Sequence, residues 1–290
     1  MAQSLQHRPV LLDEALAALR IRPDGVYVDC TFGRGGHARA ILAQLSAAGR
    51  LIALDQDLAA VDAGKDIVDE RFTIMHAPFA QLGEILARQS IEQVDGVLLD
   101  LGVSSPQLDA ADRGFSFTRD GPLDMRMDPT TGEPASAWIA RASVEEMRSV
   151  IATLGEERFA RRVAEAIDAS RRGTPITRTV QLAAIVEGAV RTREPGKHPA
   201  TRSFQALRLH VNDELGQLKA GLEGAFEVLA IGGRLAAISF HSLEDRIVKQ
   251  FLRRKSSVDP VYAGLPHVPA HAQAAMRLVG RKVRPSDAEV

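Results

Sequence analysis

Apolar positions in the first hundred residues fall into short unbroken runs, separated by stretches with helical spacing. Val26-Tyr27-Val28-Asp29, Arg50 to Asp55, Phe72 to His76 and Asp95 to Leu101 read as strands, the last continuous enough to be buried on both faces. Between them, residues 38–45, 58–68 and 79–88 carry helical periodicity, and residues 11–19 read as a helix ahead of the first strand. Strands alternating with helices in this way predict an α/β protein, a doubly wound parallel sheet with helices on both faces. After Gly102 the rhythm breaks. Residues 104–134 are rich in glycine, proline and charge and read as loop. Helical patterns follow over 143–154, 156–171, 179–190 and, as one long helix, 201–229, before a fifth apolar strand over 234–240. This layout predicts a discontinuous sheet domain, residues 1–106 and 208–290, interrupted by an all-helical insert at 107–207. From Gly264 onward the chain reads as a poorly anchored tail.

Composition narrows the function classes. Hydrophobic residues make up 45% of the 290 residues and charged residues 25%, ordinary for a globular protein. Aromatics at 4% argue against broad stacking platforms, and a net charge of −1 excludes coating of nucleic acid by bulk charge. The lone Cys30 and the lack of Cys/His clusters at zinc spacing point to a reducing compartment and no metal site. The N-terminus carries no apolar leader and no run reaches membrane-spanning length, so a soluble, cytoplasmic protein without a membrane partner is expected.

Candidate chemistry begins at Asp29-Cys30-Thr31-Phe32-Gly33-Arg34-Gly35-Gly36-His37, a strand end running through a glycine turn into a helix. Such turns bring bare backbone N–H groups against a ligand. A dinucleotide site would want a third glycine where Ala38 stands, and Asp29 beside a pyrophosphate would repel it by several kT. A carboxylate there suits an ammonium group, so S-adenosylmethionine is favoured over NAD as cofactor. Asp55, ending the second strand, suits ribose hydroxyls. Asp100, ending the fourth, could contact either the methyl donor or the acceptor, and both remain open. His241 follows the fifth strand and is a candidate site residue, with Ser242 as the helix cap. Basic residues cluster at 158–162, 171–172, 191–202 (Arg191, Arg193, Lys197 and Arg202) and 246–255 (including Arg246 and Lys249). Phosphate contact is expected there, against the blander reading of solvated helix faces. Asp124-Met125-Arg126-Met127-Asp128 reads as a salt-bridged turn rather than a cation site, and His7 with Pro9 as either a flap over the donor or a plain helix start.

Several motifs together carry a family resemblance. They are the glycine turn just quoted, Leu99-Asp100-Leu101-Gly102-Val103-Ser104-Ser105-Pro106-Gln107, Arg113-Gly114-Phe115-Ser116-Phe117, Gly121 to Asp128, His198 to Arg202, and Ser239 to Arg246. From His7 to about Lys255 the sequence resembles the MraW family of 16S rRNA cytosine-N4 methyltransferases. The resemblance implies a class I methyltransferase fold, Rossmann-like, with a helical substrate-recognition insert. It also implies methyl transfer from S-adenosylmethionine to the exocyclic N4 of a decoding-centre cytidine. The expected RNA partner is 16S rRNA in the small ribosomal subunit or a late assembly intermediate; a homodimer is left open. Carried over by position, the cofactor contacts would be Gly35, Gly36, His37, Asp55, Phe79 (against adenine), Asp100 and Gln107, with Asp29 and Gly33 as further candidates. Asp100 and His241 would serve the chemistry, and Arg202, Arg246 and Lys249 the RNA. The family's usual chain continues into an Arg-rich segment that is not found before Val290.

Overall fold

The computed structural model describes residues 8–191, 196, 198–262, 264–265, 267–286 and 289. Its frame is a sheet of five parallel strands: Val26–Asp29 (β1), Arg50–Asp55 (β2), Phe72–His76 (β3), Val94–Asp100 (β4) and Leu229–Ile238 (β5), ordered β3-β2-β1-β4-β5. Chain order reverses beside β1, whose neighbours are β2 and β4, and open α/β sheets bind ligands beyond the carboxyl ends of strands at such a point. The helices in chain order are Leu12–Leu19 (α1), Gly36–Leu42 (α2), Leu58–Gly64 (α3), Leu82–Arg88 (α4), Ser105–Asp109 (α5), Ala135–Arg141 (α6), Val144–Leu154 (α7), Ala160–Gly173 (α8), Thr179–Ala189 (α9), Thr201–Val211 (α10), Glu214–Val228 (α11) and Ser242–Lys255 (α12). The sheet is therefore Rossmann-like, with flanking helices. One apolar layer joins Leu19, Ile41, Leu51 and Leu98; the other joins Leu82, Leu86, Leu99, Leu222 and Phe251. The strands consequently carry apolar side chains on both faces, which is why they read as unbroken runs.

The chain divides into two compact units, residues 1–102 with 215–290, and residues 103–214. The second has its own core, in which Leu123, Met125, Trp138, Ile151, Ile167, Leu182 and Phe204 are buried together. Among its described residues it holds helices and a single isolated bridge, Pro122 to Arg178.

Four sequence expectations need correction. The expected long helix over 201–229 is broken at Asn212-Asp213, where Asp213 has φ +44°. Asn212 forces the break. Its amide donates to the carbonyls of Met125 and Arg208, and its Oδ1 accepts from Met127 N at 2.7 Å, tying the helix end to the 125–127 turn. The stretch 104–134 is not all loop: α5 opens on a capping box in which Gln107 Oε1 accepts from Ser104 N. β5 starts five residues early, running directly out of α11, and ends at Ile238, before Phe240. Finally, the C-terminal segment is anchored: Ala275 and Met276 donate to Lys255 O, Met276 joins a core layer, and Lys282 Nζ reaches Asp245 at 3.0 Å.

Candidate functional site

Asp29, Asp55 and Asp100 are the last residues of β1, β2 and β4, so three adjacent strands each deliver a carboxylate to the same edge of the sheet. Neighbouring strands lie about 4.8 Å apart, close enough for these charges to feel one another. Asp29 is 1% exposed; Oδ1 accepts from Thr31 N at 3.2 Å, and Oδ2 has no hydrogen-bond partner among the described residues. Burial, and then the charge of Asp55, push its pKa up to about 7. Asp100 is likewise raised to about 7 by burial and by the charges of Asp29 and Glu244. Its backbone N–H donates to Thr31 Oγ1 at 2.7 Å, while its Oδ1 is buried without a partner among the described residues. Thr31 thus ties the ends of β1 and β4 together, a role that its spacing from Asp29 did not signal.

Asp55 has a different part. Oδ2 accepts from Gly33 N and Oδ1 from Asp57 N, both at 2.8 Å, while burial raises its pKa to about 6 against these bonds. The carboxylate of β2 therefore holds the glycine turn of β1 in place. Gln56 N–H is a third backbone donor to this carboxylate, which leaves one lone pair for a ligand hydroxyl.

The turn itself is built for close approach. Gly35 has φ +72°, and a Cβ there would meet the Phe32 ring at 2.5 Å. A Cβ on Gly36 would fall 2.2 Å from Pro9 Cγ, so the N-terminal segment packs on the start of α2. This locates Pro9 over the turn; His7 lies outside the described residues. His37, second residue of α2, is 5% exposed, and burial drives its pKa down to about 4. Its Nδ1 lies 3.5 Å from Asp100 Oδ2, and its Nε2 is buried without a partner among the described residues. The imidazole is neutral at neutral pH and faces the acid end of β4 as a dipole rather than as a charge.

Phe79 opens a short 3-10 turn after β3 and rests half-buried against Gly221, where a Cβ would sit 2.4 Å from the ring. Glu244, which sequence reasoning passed over, is 2% exposed; its Oε2 accepts from Phe240 N at 3.0 Å and His241 N at 3.3 Å. The α12 cap is His241, not Ser242: His241 Nδ1 accepts from Glu244 N at 3.4 Å, and its Nε2 stands 3.2 Å from Glu244 Oε1. The cap lies one residue before the expected Ser242, because the buried acid that completes the capping box is Glu244.

Gln107 belongs to the 103–214 unit and is buried in its own cap. Arg202, in the same unit, donates to Glu156 O. Arg246 is exposed on α12, and Lys249, also exposed there, is paired with Asp245 at 2.6 Å. Other basic residues of these clusters have acidic or carbonyl partners: Arg171 bonds Asp168 and the carbonyl of Ile139, Arg172 bonds Asp168, and Arg161 bonds Glu165. Arg193 and Lys197 lie outside the described residues. Arg126 forks onto both oxygens of Asp124 at 2.8 Å, so this segment is the salt-bridged turn its sequence suggested. Among the described residues no group of three or more His, Cys, Asp or Glu is placed to hold a metal ion, and no helix is long and apolar enough to cross a membrane.

A parallel Rossmann-like sheet with acids at the carboxyl ends of β1, β2 and β4 has its charged groups at the edge where open α/β sheets bind ligands. Residues 4–290 match the family described as the MraW methylase family, and the chain belongs to it. It is 57% identical over 285 residues to "Ribosomal RNA small subunit methyltransferase H" of Thiobacillus denitrificans (strain ATCC 25259 / T1), covering 98% of this chain and 92% of that protein. Proteins of the same name from Azoarcus sp. (strain BH72) and Aromatoleum aromaticum (strain DSM 19018 / LMG 30748 / EbN1) are 56% and 57% identical over 291 residues, with 100% of this chain and 93% of each relative covered.

Proposed function

We propose that this protein transfers a methyl group from S-adenosylmethionine to the exocyclic N4 of a decoding-centre cytidine in 16S rRNA. The observation that carries the reading is the row of acids at the sheet's carboxyl edge, with buried, unpartnered oxygens on Asp29 and Asp100. Buried carboxylates without partners fit a cationic ligand and not a pyrophosphate. Family membership and the names of the relatives support the methyl-transfer class and the rRNA substrate.

S-adenosylmethionine, when bound, supplies an electrophilic methyl group on a sulfonium. Asp29 would hold the ammonium of its methionine part. The glycine turn through Gly33, Gly35 and Gly36 would admit its backbone, and Asp55 would take the ribose hydroxyls. Phe79 would offer a flat apolar surface to adenine. Asp100 would accept from the N4 amine of cytosine through Oδ1, a recognised carboxylate–cytosine contact. That bond orients the amine and returns lone-pair density to nitrogen. Because burial holds Asp100 near neutrality in pKa, it can also take the proton that N4 sheds. His37, neutral beside Asp100, would hold the carboxylate's orientation. His241 shapes the same edge through its cap on α12. The unit of residues 103–214, with Arg202, and the exposed Arg246 and Lys249 of α12 would meet the RNA, in the subunit or a late assembly intermediate.

The test is transfer of labelled methyl groups to small subunits from a strain lacking the modification, comparing the wild type with Asp100→Ala. Loss of transfer in the variant with cofactor binding retained supports the reading; equal labelling by both sinks it.

A further inference from the structure

Among the described Phe, Tyr and Trp side chains Phe240 alone is exposed, at 57%, the others being buried or half-buried. It stands just past the carboxyl end of β5, and its position follows from the sheet. Asp100 pairs in register with Ile238, and Leu101 N donates to Ile238 O at 3.0 Å. Two residues beyond this rung, the Phe240 ring lies against Gly102, where an added Cβ would sit 3.3 Å from its Cδ2. The backbone of Phe240 is fixed by Glu244, whose buried carboxylate accepts its N–H at 3.0 Å. An exposed ring on a backbone held by Glu244 thus lies two residues along the strand pair from Asp100, whose Oδ1 has no partner among the described residues.

We infer that Phe240 is the platform on which the target pyrimidine stacks while Asp100 holds its amine. The inference rests on the rRNA-methylation reading and adds a residue to it. One in-plane hydrogen bond to an amine leaves the base free to rotate about that bond. Contact with a flat ring removes the rotation and sets the base plane, and each base has a face to offer. Glycine at 102 leaves room for the ring to lie flat against the backbone leaving β4.

The experiment compares wild type, Phe240→Leu and Phe240→Tyr in three measurements. These are S-adenosylmethionine affinity by calorimetry, methyl transfer to undermethylated small subunits, and fluorescence of a short decoding-region RNA carrying pyrrolocytosine at the target position. Leucine keeps apolar bulk without a ring face, and tyrosine keeps the face. The expected result is cofactor affinity within twofold of wild type for both variants. Transfer efficiency should fall on the order of 10- to 100-fold for Phe240→Leu, the effect of losing one base–aromatic stack, and recover with Phe240→Tyr. Quenching of the RNA probe on binding should be lost only with leucine. Phe240→Leu within twofold of an active wild type, or a tenfold loss of cofactor affinity, would overturn the stacking role alone. A wild-type protein inactive on these subunits would overturn the rRNA reading and the stacking role with it.

Discussion

The carboxylate of Asp55 accepts the backbone N–H of Gly33 at 2.8 Å, so the end of β2 fixes the turn that follows β1. The same side chain accepts from Asp57 N and so orders the entry to α3. Asp55→Ala removes the acceptor of three backbone donors at once, Gly33, Gln56 and Asp57. Hydrogen bonds to charged acceptors are worth roughly 1.5–3 kcal/mol each, partly offset here by relief of a buried charge, so a loss of about 2 kcal/mol is expected. Thermal unfolding of the unliganded variant measures it, and cofactor affinity should fall at least tenfold. An unchanged melting temperature would show that the turn holds itself.

Asp29 carries stability of the opposite sense. Burial raises its folded-state pKa from 3.8 to about 7, so between those values the folded protein holds a proton that the unfolded chain has released. That contribution is fully present below about pH 4 and is lost as pH rises toward 7. Asp29→Asn keeps an acceptor for Thr31 N and removes the charge. It should therefore stabilise the unliganded protein at pH 8, by a few kcal/mol at most given about 1.4 kcal/mol per pKa unit, and leave it nearly unchanged at pH 4. The same variant should bind S-adenosylmethionine more weakly. Equal melting-temperature differences at both pH values would contradict this assignment.

Cofactor binding should itself be pH-dependent. A cationic ligand favours the ionised forms of Asp29 and Asp100, both raised to about 7, so its binding must release protons near neutrality. Affinity is expected to rise from pH 5.5 to 8 and then level off. Calorimetry in buffers of different ionisation enthalpy reads the released protons directly, and proton uptake would be the wrong sign.

Gly36 and Pro9 should behave as a coupled pair. Gly36→Ala places a Cβ 2.2 Å from Pro9 Cγ and 2.9 Å from its Cδ, whereas Pro9 Cβ is 3.6 Å away. Pro9→Ala removes the two clashing atoms. The single glycine variant should lose about 1–3 kcal/mol as an overpacked contact, and the double variant should recover most of it. A melting-temperature series over the four proteins gives the coupling; strict additivity would place the clash elsewhere.

Much of the sheet was legible because its strands are apolar on both faces and end in acids: Asp29, Asp55 and Asp100 could be picked out as strand-end carboxylates. What they do to one another was not legible. The Asp55–Gly33 bond, the Thr31–Asp100 bond and the His37–Asp100 approach join residues 22, 69 and 63 positions apart, which strand pairing alone brings together. The helix break at Asn212 escaped because apolar periodicity continues through it, and only contacts to Met125 and Met127 decide the matter. The α12 cap was misplaced because serine is the common cap, while burial of Glu244 chose His241. Arginines expected to await phosphate, such as Arg171, are held by acids and carbonyls that the sequence does not set beside them.

The most direct test of the central claim is to digest rRNA from treated small subunits and identify the methylated nucleoside by mass spectrometry. The account predicts N4-methylcytidine at a decoding-centre position, carrying the label of S-adenosylmethionine and absent with Asp100→Ala. Label recovered as a ring-carbon or ribose methyl, or no label from an enzyme that binds the cofactor, would contradict it.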